Sequence, residues 1–402
     1  MDSIRYIYKV GYGPSSSHTM GPQKAAVLFK EKNPDASSYK VTLFGSLAAT
    51  GKGHLTDVAV MHTLKPTPTE IIWKPEVYLP FHPNAMTFEA YQGDSKSDEW
   101  TIYSIGGGDL ADEDTKYGQK ALYKHTTMRE ILAYCHDNGM TLWEYVLETE
   151  GPEIMDYLAD VWETMEKAIL DGIQAEGQLP GGLGLQRKAS TYFVKSKGYQ
   201  GSMKSRALIY SYALAVAEQN SSGGKIVTAP TCGSCGVIPG VLYHLKKNHD
   251  CSEQRILNAL ATAGLIGNII KQNASVSGAE VGCQGEIGAA CAMAAGAACQ
   301  LFGGSPQQIE YAAEMGLEHH LGLTCDPIGG LVQVPCIERN AFAAARALDS
   351  CSFAMLSDGK HMVSFDKVVK TMKQTGHDLP SLYKETSTGG LAVFVKKGNA
   401  EE

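Results

Sequence analysis

At 402 residues the chain exceeds the roughly 100–200 residues of one typical domain, so two domains with full hydrophobic cores are expected and a disulfide-stapled miniprotein is excluded. Thirty-five basic residues against 43 acidic ones give a net charge of -8, and no basic run or stripe occurs. Nucleic acid and anionic membrane are therefore not expected as main partners. Forty-three glycines stand where average usage of about 7% would supply about 28, and they are spread through apolar segments, where backbone must approach something closely.

The first residues, MDSIRYIYKVGYGPSSSH, show neither the apolar core nor the small-residue cleavage site of a signal peptide, so a cytoplasmic protein is expected. The ten cysteines are then thiols, metal ligands or small buried hydrophobes, not a disulfide framework. Residues 1–110 alternate helix-like and strand-like patches (GPQKAAVLFKEK, VTLFGSL, TDVAVMHTL, EIIW, MTFEAY, TIYSIGG), the pattern of a compact α/β domain. A boundary falls between 108 and 126, after which a larger all-α domain (126–402) is expected, giving an α+β fold overall. Thr127 with Glu130, Thr141 with Glu144 and Ser305-Pro306 with Gln308 read as helix starts, and Gly139 and Gly151-Pro152 as helix ends. The stretch 153–174 is amphipathic, whereas RILNALATAGLIGNII is apolar on nearly every face and belongs inside a helical core. IGAACAMAAGAACQLF is too short for a membrane span and reads as a buried helix. The cleft between two such domains is the default place for a small ligand.

Three cysteines sit beside Gly or Pro with carboxylates or amides nearby: Cys283 in GAEVGCQGEIG, Cys325 in LGLTCDPIGG and Cys336 in VQVPCIERN. Cys135, Cys291, Cys299 and Cys351 fall in helical patterns and read as core fillers. Spacing alone matches no standard ferredoxin run and does not show that the three share a metal. In the N-terminal part, His18 lies in PSSSHTMGP, a tight turn before a helix whose hydroxyls and N–H groups suit a carboxylate, and His54 lies in TGKGHLTD with Lys52, Thr56 and Asp57 close by. The bland alternatives are an N-cap cluster at Ser15–Ser17 and a helix cap at Asp57.

Taken together and in order, GPSSSHTMGP, GSLAATGKGHLTD, APTCGSCGVIPG, KQNASVSGAEVGCQGEIGAA and LEHHLGLTCDPIGGLVQVPCIERNA resemble the iron–sulfur L-serine dehydratases, in the single-chain arrangement with the β domain first and the α domain second. The resemblance implies a [4Fe-4S] cluster held by Cys283, Cys325 and Cys336, with one iron left free of protein ligands to act as a Lewis acid on a small amino-acid substrate, and β-elimination of water from L-serine to give pyruvate and ammonia. It also implies an α/β sandwich for the first domain, and a homodimer. A neutral imidazole is the usual proton acceptor near pH 7, so His54 is the expected base, with His18 binding or orienting substrate and the reverse left open. Lys52, Ser15, Ser16, Ser17, Thr19, Asp57 and Asn273 are the expected substrate contacts. Arg339 and Asn340 directly follow a ligand cysteine, and His319 matches a family histidine.

Cys232 and Cys235 form a C-x-x-C without a second half to complete a zinc site, and are expected to line the cluster pocket, with redox modulation as the weaker reading. Many family members end in a cysteine shortly after a KETSTGGLAV-like segment, able to cap the open iron; here FVKKGNAEE follows, so that capping is not carried over. The rival reading is a pyridoxal-phosphate dehydratase, because SMKSR at 202–206 imitates a Schiff-base lysine motif and IGGGD at 105–109 a phosphate loop, but their order is reversed. GSLAATGKG fails as a Walker loop. A related iron–sulfur lyase acting on L-cysteine or L-threonine, and a non-catalytic amino-acid sensor, are the remaining alternatives.

Overall fold

In the computed structural model, which describes residues 1–113 and 121–393 together with the backbone of Lys116–Tyr117, the chain builds two hydrophobic cores. The smaller belongs to a six-stranded sheet of order β3-β2-β4-β5-β6-β7, with β2 Ser38–Phe44, β3 Thr69–Lys74, β4 Ala85–Gln92, β5 Ser95–Ser104, β6 Leu110–Ala111 and β7 Lys116–Tyr117. Only the β2–β3 pair is parallel. Period-two alternation puts Val41 between Ile71 and Phe88, and Leu43 between Trp73 and Met86, so one face is apolar. Helices α1 (Gly21–Lys32) and α3 (Thr56–Leu64) cover that face with Ala25, Ala26, Phe29, Val60 and Leu64. The opposite positions, such as Lys40, Glu89 and Thr101, are polar, as expected of a mainly antiparallel sheet with one wet face.

The larger core is helical. The amphipathic stretch forms α6 (Glu153–Gln174) and the apolar one α10 (Glu253–Asn273). The Ala- and Gly-rich stretch forms α12 (Ile287–Leu301), buried almost end to end and packed against α9 (Val237–Asn248), α10, α13 (Pro306–Glu318) and α14 (Cys336–Met355). Small residues allow this: a Cβ on Gly316 would stand 2.9 Å from the Ala292 backbone. Thr127 and Ser305 form reciprocal capping boxes with Glu130 and Gln308, and Gly139 ends α4 (Met128–Asn138) in the left-handed region. Among the described residues no helix is long and apolar enough to cross a membrane.

One feature runs against the chain-order reading. Met1, Ile4, Ile7 and Tyr8 are buried in the helical core and not beside the sheet, because this short apolar run finds its partners on α10, where the Tyr8 hydroxyl donates to Leu260 O at 2.9 Å. β1 (Val10–Tyr12) then pairs antiparallel with β8 (Lys225–Val227), so a short strand pair ties the two parts of the chain together. A second tie is ionic. Asp109, fully buried at the end of the IGGGD loop, contacts both Lys9 and Lys271, and Lys9 also donates to Gly107 O at 2.6 Å. Burial alone would raise the Asp109 carboxyl, but the two ammonium groups hold it below its ordinary value.

Removing one member of such a buried set leaves the others uncompensated and typically costs about 3–5 kcal/mol. Asp109→Asn, which strands Lys9 beside Lys271, is expected to lose stability of that order in urea unfolding; a change below about 1 kcal/mol would show that the triad does not hold the two parts together.

Candidate active site

Two turns of the sheet unit carry the histidines. The hydroxyl of Ser15 accepts the His18 N–H at 3.0 Å and caps a single π-helical turn, Ser16–Met20, that runs into α1. His54 follows α2 (Gly45–Thr50) in a turn that ends at Leu55 in the left-handed region. Two threonines lock the turns reciprocally: Thr19 donates to His54 O at 2.6 Å and Thr56 to His18 O at 2.5 Å. The imidazoles are buried, with ring centres 4.5 Å apart.

The hydrogen bonds assign both tautomers. Ser46 O, which can only accept, lies 3.1 Å from His18 Nε2, so that nitrogen carries the proton. The Thr50 hydroxyl donates to the same Ser46 O at 3.2 Å, so it must accept from His54 Nδ1 at 3.1 Å. The lone pair of His54 is therefore on Nε2 and that of His18 on Nδ1. Burial lowers the His18 pKa to about 4, with the nearby His82 adding to the effect against the Ser46 bond. His54 is held well below its ordinary value by burial and by His18. Both rings are neutral at pH 7.

From the helical unit, Cys283 arrives on a short turn just before α12, Cys325 on the loop after α13, and Cys336 as the first residue of α14. They share one space: burial pushes all three thiols up, Cys283 to about 11, and Cys283 and Cys336 add to the rise at Cys325. The Arg339 guanidinium hydrogen-bonds Cys283, feels the other two sulfurs, and is fixed by donating to Thr324 O at 2.7 Å. Behind them Glu286 accepts from Thr231 at 2.7 Å, with Oε2 3.9 Å from Cys325 Sγ. Gly278 and Gly233 give that carboxylate its room, since a Cβ would lie 2.7 and 3.1 Å from its oxygens. Among the described residues no three cysteine sulfurs lie within 4.8 Å of one another, which is too open for one ion held by three thiolates.

Of the other residues expected at the site, Ser15, Ser16, Ser17 and Thr19 lie in the His18 turn, although Ser15 and Thr19 spend their hydroxyls on holding it. Asn340 is committed to structure: it accepts from Gly236 N and donates to Gly233 O and Cys336 O, bracketing the Cys232–Cys235 loop against α14. Asn273 donates to Thr126 O and Ile269 O at the end of α10, and its amide is not among the groups brought together. Lys52 is exposed and sits over the Trp73 ring at 5.6 Å, and Asp57 is half-buried in the first turn of α3. His319 is exposed at the end of α13. Cys232 and Cys235 are buried with raised thiols, and Cys232 Sγ lies 3.5 Å from Met20 Sδ at the end of the His18 turn. Lys204 of the SMKSR stretch is exposed on α8 (Gly201–Ser221). The tail after 393 lies outside the described residues.

Two further residues belong here that are not among the expected site residues: His82, which reads as structural, and Glu385, in a segment expected only to lie near the pocket. His82, in FHPNAM, is buried, accepts from Asn84 N at 3.1 Å and faces Glu280 at 3.8 Å. Glu385, in KETSTGG, places Oε1 3.3 Å from His18 Nδ1, and the ligating atoms of His18, His54 and Glu385 lie within 4.8 Å of one another. A cavity of about 390 Å³ reaches Ser46 and Thr386 from outside, with Glu280, Lys373 and Lys384 on its walls.

The chain is similar to known proteins over nearly its whole length. Residues 3–72 and 64–115 match the serine dehydratase beta chain and residues 111–392 the serine dehydratase alpha chain. The chain is 41% identical to L-serine dehydratase 1 of Escherichia coli over 453 aligned positions, covering 98% of this chain and all of the relative (100%). It is 40% identical to the L-serine dehydratase of Streptomyces coelicolor, covering 98% and 99%, and 37% identical to that of Helicobacter pylori, with the same coverage.

Between the His18 pKa near 6.5 in the unfolded chain and about 4 in the folded one, the unfolded state holds the extra proton, so the stability due to this ring is complete above pH 6.5 and is lost as pH falls to 4. Unfolding free energies from urea titrations at pH 6.5 and at pH 4 should differ by about 3 kcal/mol more in the wild type than in His18→Asn. Nitrogen NMR should find His18 protonated on Nε2 and His54 on Nδ1; the opposite tautomers would overturn the assignment. Beta and alpha regions in one polypeptide, matched over nearly its whole length, make this enzyme a member of the L-serine dehydratase family.

Proposed function

We propose that the enzyme deaminates L-serine to pyruvate and ammonia, with a [4Fe-4S] cluster held by Cys283, Cys325 and Cys336. The observation that carries this reading is the convergence of three thiols from three separate segments around Arg339, with Glu385, which interacts with two of them, reaching His18 Nδ1 at 3.3 Å. Buried thiols with raised pKa values are poor ligands until a metal displaces their protons, and binding then offsets the cost of burying thiolates. When bound, a cluster with one iron free of protein ligands supplies a Lewis acid that makes a β-hydroxyl a better leaving group.

The chain's own residues do the rest. His54 Nε2, with its lone pair free and its other nitrogen held by Thr50, takes the Cα proton of serine. The hydroxyls of Ser16 and Ser17 meet the substrate carboxylate and amine, the His18 ring orients it by packing with its centre 4.5 Å from that of His54, and Arg339 balances negative charge among the sulfurs. Burial excludes water from the base. Elimination yields 2-aminoacrylate and water; the enamine tautomerises to the imine, which water hydrolyses to pyruvate and ammonia.

Anaerobically reconstituted protein should carry about four irons per chain, and Cys283→Ala, Cys325→Ala or Cys336→Ala should each abolish both iron binding and activity, whereas Cys291→Ala, in the α12 core, should leave both intact. Full activity in iron-free protein, or activity that needs added pyridoxal phosphate, would sink the reading. His54→Ala should lower kcat about 10²–10⁴-fold with iron content unchanged, as measured by pyruvate formation.

A further inference from the structure

The segment around Glu385 is fastened to the loop of one proposed cluster ligand. Cys325 N–H donates to Tyr383 O and Glu385 N–H to Cys325 O, both at 2.8 Å, so residues 383–385 form a short parallel bridge with Cys325. Further along, Ser387 donates to Pro327 O at 2.7 Å and Leu391 N–H to the Asp326 carboxylate at 2.8 Å. Within this strap Glu385 and Ser387 take φ values of +58° and +53°. Side chains rarely adopt that region, and a non-glycine residue is tolerated there only where the surroundings over-determine it.

At Glu385 the strained backbone turns a carboxyl inward. Its own carbonyl accepts from the Ser46 hydroxyl at 2.9 Å, while Ser46 O holds His18 Nε2. Its side chain meets the other nitrogen, Nδ1, at 3.3 Å, but not yet in hydrogen-bond alignment. The same carboxyl is bonded by the Ala279 backbone and faces Glu286; among the described residues no lysine or arginine ion-pairs with it, and the His18 ring lies within 3.3 Å.

We propose that Glu385 is a positioning residue for the deamination: from a strap tied to the Cys325 loop it fixes the His18 ring by its second nitrogen, and through that ring the substrate's place beside His54. Nε2 is already held by Ser46 O, so a Glu385 side chain at 3.3 Å from Nδ1 pins the ring at its second nitrogen, and an amide of the same shape can take its place. The inference rests on the serine-deaminating function proposed above, but its failure is separable, since that function is read from wild-type turnover and from the cysteine variants.

The test is a double-mutant cycle in the anaerobic holoenzyme, with iron content measured throughout. Glu385→Ala should lower kcat/KM about 10²-fold, the scale expected of a misplaced substrate, with iron unchanged. In the His18→Ala background the same substitution should cost less than about threefold, because its effect is relayed by the ring. Glu385→Gln, which keeps a donor, should stay within about tenfold of wild type, and it carries the cycle should the alanine variant fail to fold. Additive losses would mean that Glu385 acts on the substrate directly. A Gln variant as impaired as the Ala variant, or loss of iron in either, would mean that it serves as a base or as a latch for the cluster loop; any of these three results overturns the proposal.

Discussion

One backbone carbonyl, that of Ser46 at the start of α2, decides the chemistry of the site. It accepts from His18 Nε2 and from the Thr50 hydroxyl, and since a carbonyl can only accept, each partner must spend its proton there. His54 is then left with a free lone pair on Nε2, and His18 with one on Nδ1. Had Ser46 O been turned away, neither tautomer would be defined and the two rings, 4.5 Å apart, would compete for protons. Their burial makes this ordering effective, because both imidazoles are driven neutral and neither becomes a cation beside the other.

The helical unit faces the opposite electrostatic problem. Four acidic groups that resist ionisation, the thiols of Cys283, Cys325 and Cys336 and the carboxyl of Glu286, are buried together with Arg339 as the cation interacting with all of them. Such a set is poorly matched to water-free protein alone, because any of these groups that ionised would be a costly buried charge. The structure sustains it by rigidity: Asn340 bonds three backbone groups, Thr231 holds Glu286, and the α12 bundle behind them is packed from alanine and glycine.

The two halves meet by close backbone approach. Gly53, one residue before His54, lies against the Gly330 carbonyl, where a Cβ would stand at 2.6 Å, so the histidine turn can press onto the loop that follows Cys325. Away from the site, the β1–β8 pair and the Lys9–Asp109–Lys271 contacts hold the same approach. The segment through Glu385 closes the third side, touching Ser46 of one unit and Cys325 of the other.

Much of this was legible in the sequence because it is encoded locally. Alternating apolar residues marked β2, β4 and β5, capping boxes marked α4 and α13, and the glycine-flanked motifs around His18, His54 and the three cysteines stand as short, contiguous signals. Periodicity and turn chemistry act over a few residues, so one sequence suffices to read them. Which groups of those motifs are free to act was decided only by the tertiary structure. Asn340 and Asn273 read as functional polar residues, yet backbone carbonyls from distant segments consume their amides. Lys52 sits beside His54 in the chain but turns out onto Trp73. Conversely, Glu385 is 367 positions from His18, beyond any local pattern, and comes within 3.3 Å only because a left-handed backbone tied to Cys325 carries it there.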